Sequence, residues 1–325
     1  EGDIMENITM LDMKANDMLS KFNKEELEEL RKNIKNSTLP YREHLGFGFT
    51  DTFGVEIEYE NLSRDMVDRY ILNNHRGYTS GSDETVPTGG EIDSHILVDK
   101  KEDWKELQQI CFFLTENDVV TSENAGGHIH VGSHILENNL NYWRQFLKTY
   151  MLYEKELLEF FKGEYSKMRL SSGRYAFPIA KILYQNLAAL NDTLCFSDLY
   201  DEIFLKDRNV AVNFKNIKRS VYKPYPGSTI EFRSPNGTSK EIIWQNNINT
   251  AVKLFKAPVK GMIDEEYLDY KLNKGLEEEA TYSNALELID MIFDNNLDKI
   301  YFLKQYNKDF NFKEEKDKGF IKSKF

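Results

Sequence analysis

Apolar positions along the chain recur with two periods, and each period predicts a different element. In Phe53-Gly54-Val55-Glu56-Ile57-Glu58-Tyr59-Glu60 the period is two: Val55, Ile57 and Tyr59 share one side, and Glu56, Glu58 and Glu60 the other. That alternation predicts a strand with one face on a core. It returns after paired glycines at Glu91-Ile92-Asp93-Ser94-His95, where Glu91, Asp93 and His95 share parity, and in Gly126-Gly127-His128-Ile129-His130-Val131-Gly132, where His128, His130 and Gly132 do. It returns again at Ile230-Glu231-Phe232-Arg233, which sets a carboxylate and a guanidinium on one side. Residues 207–214 read as a loop entering a strand, and the glycine-rich 77–90, with Pro87, as a loop or pair of turns.

Helical spacing marks the rest. Leu27, Leu30 and Ile34 fall within 24–35, with Asn23 and Glu26 placed to cap and Pro40 to end that helix. Met66, Val67, Tyr70 and Ile71 form the expected buried stripe of 63–76, and Trp104, Leu107, Ile110, Cys111 and Leu114 that of the next helix. Residues 140–161 are strongly amphipathic, and their aromatic stripe reads as core packing. An apolar helix is expected over 179–190. Another, with Ile242, Ile243, Ile248, Ala251, Val252 and Leu254, follows Thr238 or Ser239 as cap, and a further stripe covers 276–292. The fold class expected is α+β, an antiparallel sheet with surrounding helices. It divides into a helical arm at 1–45, a catalytic domain at 46–258 and a charged helical extension at 259–325.

Composition narrows the function classes. The 325 residues carry a net charge of −12, which argues against a broad nucleic-acid face but leaves room for a nucleotide held by a cation and a few local basic groups. No apolar run is long enough for a bilayer, and the sequence opens without the basic, apolar and small-residue succession of a secretory signal. Cys111 and Cys195 both stand in apolar contexts and are expected as buried free thiols, in keeping with a cytoplasmic setting. The chain carries no repeat, Walker loop or dinucleotide fingerprint.

The polar sides of the four strands hold the candidate chemistry. Three like charges on one strand face repel unless water or cations lie against them. A solvated sheet face and a row of ligands for a hard divalent cation both fit Glu56, Glu58 and Glu60. The paired histidines fit surface positions or a metal or phosphoryl contact. Arg174, Arg208 and Arg233 could grip phosphate or carboxylate, or pair on the surface. Asp83 and Glu84 read as loop charges, and His95 as structural.

Taken in order, Phe-Gly-Val-Glu-Ile-Glu at 53–58, Gly-Gly-Glu-Ile-Asp at 89–93, Gly-Gly-His-Ile-His-Val-Gly at 126–132, Arg-Asn-Val-Ala-Val-Asn at 208–213 and Thr-Ile-Glu-Phe-Arg-Ser-Pro-Asn-Gly-Thr at 229–238 resemble the amidoligase family of carboxylate–amine ligases. That group shares the glutamine synthetase and glutamate–cysteine ligase fold, and the resemblance spans roughly residues 47–255. It implies a curved antiparallel sheet holding ATP and two or more magnesium or manganese ions. Glu56, Glu58, Glu91, His128 and Glu231 would be cation ligands. His130 and Arg233 would contact phosphoryl groups, assisted by Arg208 and Arg174, and Glu91, Arg233 and Arg208 would serve the chemistry. The implied reaction forms an acyl phosphate from a substrate carboxylate and ATP. An amine then displaces phosphate to leave an amide or isopeptide bond, with Asp83 or Glu84 as a helper for its proton. The terminal regions leave room for a peptide or protein substrate, with free amino-acid ligation the nearest alternative. A non-catalytic assembly protein on the same fold and a metal-dependent hydrolase are the other readings. Neither nucleic-acid nor membrane partners are expected, and oligomerisation remains open.

Overall fold

The computed structural model describes residues 40–119, 124–169, 171–204, 207–218 and 227–308. Its organising element is a six-stranded open sheet in the order β2-β3-β1-β4-β6-β5. The strands are β1 (Phe53–Tyr59), β2 (Thr79–Gly81), β3 (Gly90–Asp93), β4 (Gly127–Gly132), β5 (Val212–Asn213) and β6 (Thr229–Phe232). Every neighbouring pair is antiparallel. The chain is therefore α+β, as the alternation of periods predicts.

Alternation decides the two faces. Val55, Ile57, Tyr59, Ile92, Ile129, Val131, Ile230 and Phe232 all enter one continuous apolar core. A one-residue slip of any central strand would exchange this set for its acids and histidines, so burial locks the register. The core is closed by helices α1 (Arg64–Asn74), α2 (Lys101–Glu116), α3 (Leu140–Phe161) and α4 (Glu241–Lys256). The expected α2 stripe is buried throughout: Trp104, Leu107, Ile110, Cys111 and Leu114.

Helix α4 is the pillar of this layer. Every residue from Ile242 through Phe255 is buried, although Gln245, Asn246, Asn247 and Asn249 are polar. Buried amides cost free energy unless they are paired. Gln245 exchanges two hydrogen bonds with the backbone of Arg42 (2.8 and 2.7 Å), Asn249 donates to Asp298 (2.9 Å), and Gln305 donates to Asn247 (2.7 Å). Asp298 also holds the Arg42 guanidinium at 2.6 Å. The segment before β1 and the last helix are thus bonded to the pillar from opposite ends of the chain. Helices α5 (Glu265–Lys274), α6 (Tyr282–Ile292) and α7 (Asn296–Tyr306) pack on α3 and α4, and their Leu268, Leu272, Leu286, Ile289 and Phe302 belong to the same core.

Several local expectations change. Residues 77–90 include the edge strand β2, which pairs with β3. Met66 is exposed, because α1 buries only Val67 and Ile71 and packs with a narrower stripe. The helix expected over 179–190 is two, Ala180–Gln185 and Leu187–Asp192, joined at Asn186, whose side chain bonds back to Ile182 O (2.8 Å). Neither Thr238 nor Ser239 is the cap of α4; Lys240 takes that position, while Thr238 Oγ1 donates to Glu164 and accepts from Lys240 N. Cys111 is buried as expected, but Cys195 is exposed, since it sits outside the three-residue helix that follows it. The helix expected over 24–35 lies outside the described residues, as does the chain beyond 308.

Opposite faces of α2 give a stability test. Trp104→Ala empties a closed part of the core and is expected to lower the unfolding free energy by about 3–5 kcal/mol. Phe112→Ala, on the exposed side, should cost about 1 kcal/mol or less. Urea denaturation of the two variants measures the difference.

Candidate active site on the open sheet face

The strand register that buries the apolar residues brings the polar ones together. Glu56 stands opposite Asp93 on β3 and His128 on β4; Glu58 stands opposite Glu91; Glu231 stands between His130 and Asn213. Glu56 joins the two imidazoles, its Oε2 meeting His128 Nδ1 and its Oε1 meeting His130 Nε2, both at 2.7 Å. The other nitrogen of His130 bonds Thr229 Oγ1 at 2.9 Å. Glu58 Oε2 accepts from Gly126 N (2.5 Å) and Thr85 Oγ1 (3.2 Å), and Glu58 Oε1 lies 3.4 Å from His128 Nε2. Glu231 takes a hydrogen bond from Arg233 on one oxygen and from Asn213 Nδ2 (2.7 Å) on the other.

The centre of this face is shielded from solvent. Glu58, His128 and Glu231 are 2%, 2% and 3% exposed, which overturns the reading of the acid row as an ordinary water-facing strand. Two carboxylates about 4 Å apart repel by about 4 kcal/mol at an effective dielectric of about 20. A favourable cross-strand pair contributes only about 0.2–1 kcal/mol. Fixed positive groups must therefore offset the repulsion, and one of them comes from outside the sheet. Arg169, fully enclosed, places Nη1 3.6 Å from Glu58 Oε2 and Nη2 3.4 Å from His128 Nε2, while donating to Arg233 O at 2.8 Å. It fits only because residue 126 is glycine: a Cβ there would stand 1.4 Å from Arg169 Nη1.

The protonation states record the same crowding. Burial opposes charge on Glu56, but its two imidazole hydrogen bonds outweigh it and hold the carboxyl well below the usual range. Burial, then the charges of Glu56, Asp93, Glu58 and Asp83, push Glu91 up to about 9. Burial and Glu56 raise Asp93 as well. For His130, burial disfavours the imidazolium, yet the Glu56 hydrogen bond and charge prevail and raise its pKa.

Three donor sets each bring one ligand atom per residue to within 4.8 Å of one another: Glu56, Glu91 and His128; Glu56, His130 and Glu231; Glu58, Asp83 and Glu91. Carboxylate-rich sets with at most one imidazole suit hard divalent cations such as Mg²⁺ or Mn²⁺. Beside them lies a cavity of about 590 Å³ lined by Gly54, Glu56, Glu91, Asp93, His130 and Thr229 among others.

Of the residues singled out in the sequence, Glu56, Glu58, Glu91, His128, His130, Glu231 and Arg233 converge here. Asp83 joins through its donor set with Glu58 and Glu91, whereas Glu84 is exposed. Arg174 is exposed, its guanidinium 5.3 Å over the Tyr175 ring; only the neighbouring Tyr175 O touches the cluster, accepting from Arg233 Nε at 3.2 Å. Arg208 is exposed as well, and no described hydrogen bond or ion pair joins it to the cluster. Arg169, Asn213 and Thr229 were not picked out as site residues. Asn213 and Thr229 lie inside quoted motifs at the parity of the site, a signal that would have found them; Arg169 has no motif, only a place two residues after Lys167 and just before the Ser171-Ser172-Gly173 turn.

A family model described as "putative amidoligase enzyme" matches residues 66–255, more than half of the chain. The matched span contains Glu91, His128, His130, Glu231 and Arg233, and stops short of β1, whose Glu56 and Glu58 join them through the sheet register. No curated protein matches the chain.

The raised Glu91 carboxyl gives the metal-free protein a signed pH dependence. Between its ordinary 4.5 and the folded-state value of about 9 the native chain holds a proton that the unfolded chain lacks, so stability falls as pH rises through that window. In EDTA, melting temperatures are expected to drop from about pH 5 to pH 9, and Glu91→Gln should flatten part of the slope and melt higher than wild type at the alkaline end. Parallel curves for the two proteins would show that Glu91 is ionised throughout. Gly126→Ala should expel Arg169 and lower the melting temperature of the metal-free protein, while Gly173→Ala, where nothing lies within 4 Å of the added carbon, should leave it nearly unchanged.

Proposed function

The chain belongs to the amidoligase family, and on that premise we propose that it is an ATP- and divalent-metal-dependent carboxylate–amine ligase working through an acyl phosphate. The observation that carries the reading is the convergence of three overlapping donor sets on one sheet face, with the guanidinium of Arg233 at its side. The open antiparallel sheet with ligands on a single face is also the arrangement expected of a glutamine synthetase-like fold. The family itself supports an amide-forming enzyme; nucleotide, metal, mechanism and substrate are the further reading.

In this reading Glu56, Glu91 and His128 would hold one cation, and Glu58 with Glu91 a second, with Glu231 at their side. Such cations would neutralise phosphate oxygens and let Glu91 ionise. His130 and Arg233 face the phosphoryl side: the raised pKa of His130 favours its protonated, hydrogen-bond-donating form, and Arg233 offers a guanidinium matched to phosphoryl oxygens. Arg169 acts through others, orienting Glu58 and His128. A substrate carboxylate oxygen forms a bond to the γ-phosphorus as the bond to ADP breaks. The amine nitrogen then attacks the acyl carbon, the bond to phosphate breaks, and the amine proton passes to a base, for which Asp83 is the candidate. Such a transfer relies on in-line positioning and charge stabilisation rather than a nucleophilic side chain, which agrees with a face made of ligands and cations. Arg174 and Arg208, both exposed, are left as outer contacts for substrate or phosphate.

Two measurements test this. ATP affinity should depend on Mg²⁺ or Mn²⁺ and fall by about 10–100-fold or more in Glu56→Gln and in Glu231→Gln, with far-UV circular dichroism unchanged; ATP bound equally well without metal in both variants would remove the site assignment. Wild-type protein incubated with ATP, Mg²⁺ and pooled carboxylates and amines should release ADP together with a condensation product visible by mass spectrometry. Hydrolysis products formed without ATP consumption would indicate a metal-dependent hydrolase, and partner binding without nucleotide binding an assembly protein.

A further inference from the structure

A second group of ligand-type side chains lies off the sheet face, where α1, the β2 approach and α2 meet. His95, Asp103 and Glu106 bring one ligand atom each to within 4.8 Å of one another. His75, at the C-terminal end of α1, places Nδ1 3.9 Å from Glu106 Oε1, and His95 Nε2 lies 3.8 Å from Asp103 Oδ1. His75 is 2% exposed, and its Nδ1 has no hydrogen-bond partner; the buried His95 Nδ1 and Tyr78 hydroxyl have none either.

The tautomer of His75 makes this more than a gap in hydrogen bonding. The Tyr70 hydroxyl lies 3.3 Å from Gln109 O and 3.2 Å from His75 Nε2; when it donates to Gln109, it accepts from His75 Nε2. In that tautomer Nδ1 of a neutral His75 presents a lone pair toward Glu106. A lone pair facing a carboxylate across 3.9 Å is repulsive unless a cation lies between them. An imidazole whose far nitrogen is fixed by a hydrogen bond is the arrangement of a metal ligand with its supporting partner. Asp103 is similarly oriented, its Oδ2 accepting from Val98 N at 2.9 Å. Its Oδ1 meets Lys100 Nζ at 3.2 Å, a half-exposed side chain free to swing into solvent. Tyr78 lies edge-on to both imidazoles.

We propose that His75, His95, Asp103 and Glu106 form a second cation site, specific for a borderline metal of the zinc class and separate from the carboxylate-rich sheet face. His95, Asp103 and Glu106 supply three ligand atoms within 4.8 Å of one another, and His75 Nδ1, 3.9 Å from Glu106 Oε1, is the fourth; two imidazoles and two carboxylates are a donor set for a four-coordinate shell with bonds of about 2.0–2.2 Å. With four protein ligands the site is structural. It ties the end of α1 to α2 and fixes His95, which also lines the cavity beside Glu91 and Asp93. The inference does not depend on the ligation reading.

Cobalt absorption tests it on the full chain stripped of metal by chelator. Tetrahedral Co²⁺ gives intense visible bands, whereas the oxygen-rich sheet face would hold Co²⁺ in a weakly absorbing six-coordinate form. One tetrahedral Co²⁺ per chain is expected, displaced by Zn²⁺. The band should persist in the double variant Glu56→Gln, Glu231→Gln and be lost in His95→Gln and in Glu106→Gln, neither of which empties a core position. Zn²⁺ should raise the melting temperature of the wild type and of the sheet-face double variant, but not of His95→Gln. No tetrahedral band in the wild type at saturating Co²⁺, or a band that survives both His95→Gln and Glu106→Gln, would overturn the proposal.

Discussion

Five carboxylates on one face of a small sheet must be neutralised, and the structure depends on how that is done. Glu56, Glu58, Glu91, Asp93 and Glu231 are drawn together by strand register, and the register is set by apolar side chains on the opposite face. Burial on one side therefore enforces repulsion on the other. The protein offsets it with two imidazoles on Glu56, Arg169 beside Glu58 and Arg233 on Glu231, and leaves Glu91 protonated.

Holding that arrangement requires rigid support beneath the sheet. α4 provides it, packed on β4 and enclosed on all sides. Its amide side chains would be a liability in an apolar core, yet Gln245, Asn247 and Asn249 bond the segment around Arg42 and the helix containing Asp298 and Gln305; Asn246 finds no partner among the described residues. Asp298, held by Asn249, in turn binds Arg42, 256 residues away, so the ends of the described chain are part of the platform. The same logic runs through Gly126, where the missing side chain admits Arg169, which reaches both Glu58 and His128.

Much of the fold was legible in local pattern. The alternations at 53–60, 128–132 and 230–233 became β1, β4 and β6 with the expected faces, and the helix over 140–161 and the α2 stripe emerged with their buried residues as read. Where local reading missed, the missing term was tertiary. β2 has three residues and no apolar alternation, so only pairing with β3 makes it a strand. Cys195 and Met66 look apolar in sequence, but no neighbouring element covers them. The polar residues of α4 would suggest a solvated face, and only distant partners explain their burial.

For the site, strand parity alone determined which side chains share a face, because a period of two is a local property of the backbone. It set Glu56 with Glu58, His128 with His130 and Glu231 with Arg233 on one side of their strands, and the order of the motifs, through the family they resemble, made these and Glu91 one site. Parity cannot say which strands are neighbours, in what register, or what lies over them. The tertiary structure decided that Glu56 bridges both histidines, that Arg169 enters from a segment without any motif, that Arg174 and Arg208 stay outside, and that Glu91 keeps its proton. Each of these depends on distances of a few ångströms between residues far apart in the chain, and electrostatic and hydrogen-bond energies change over that same range.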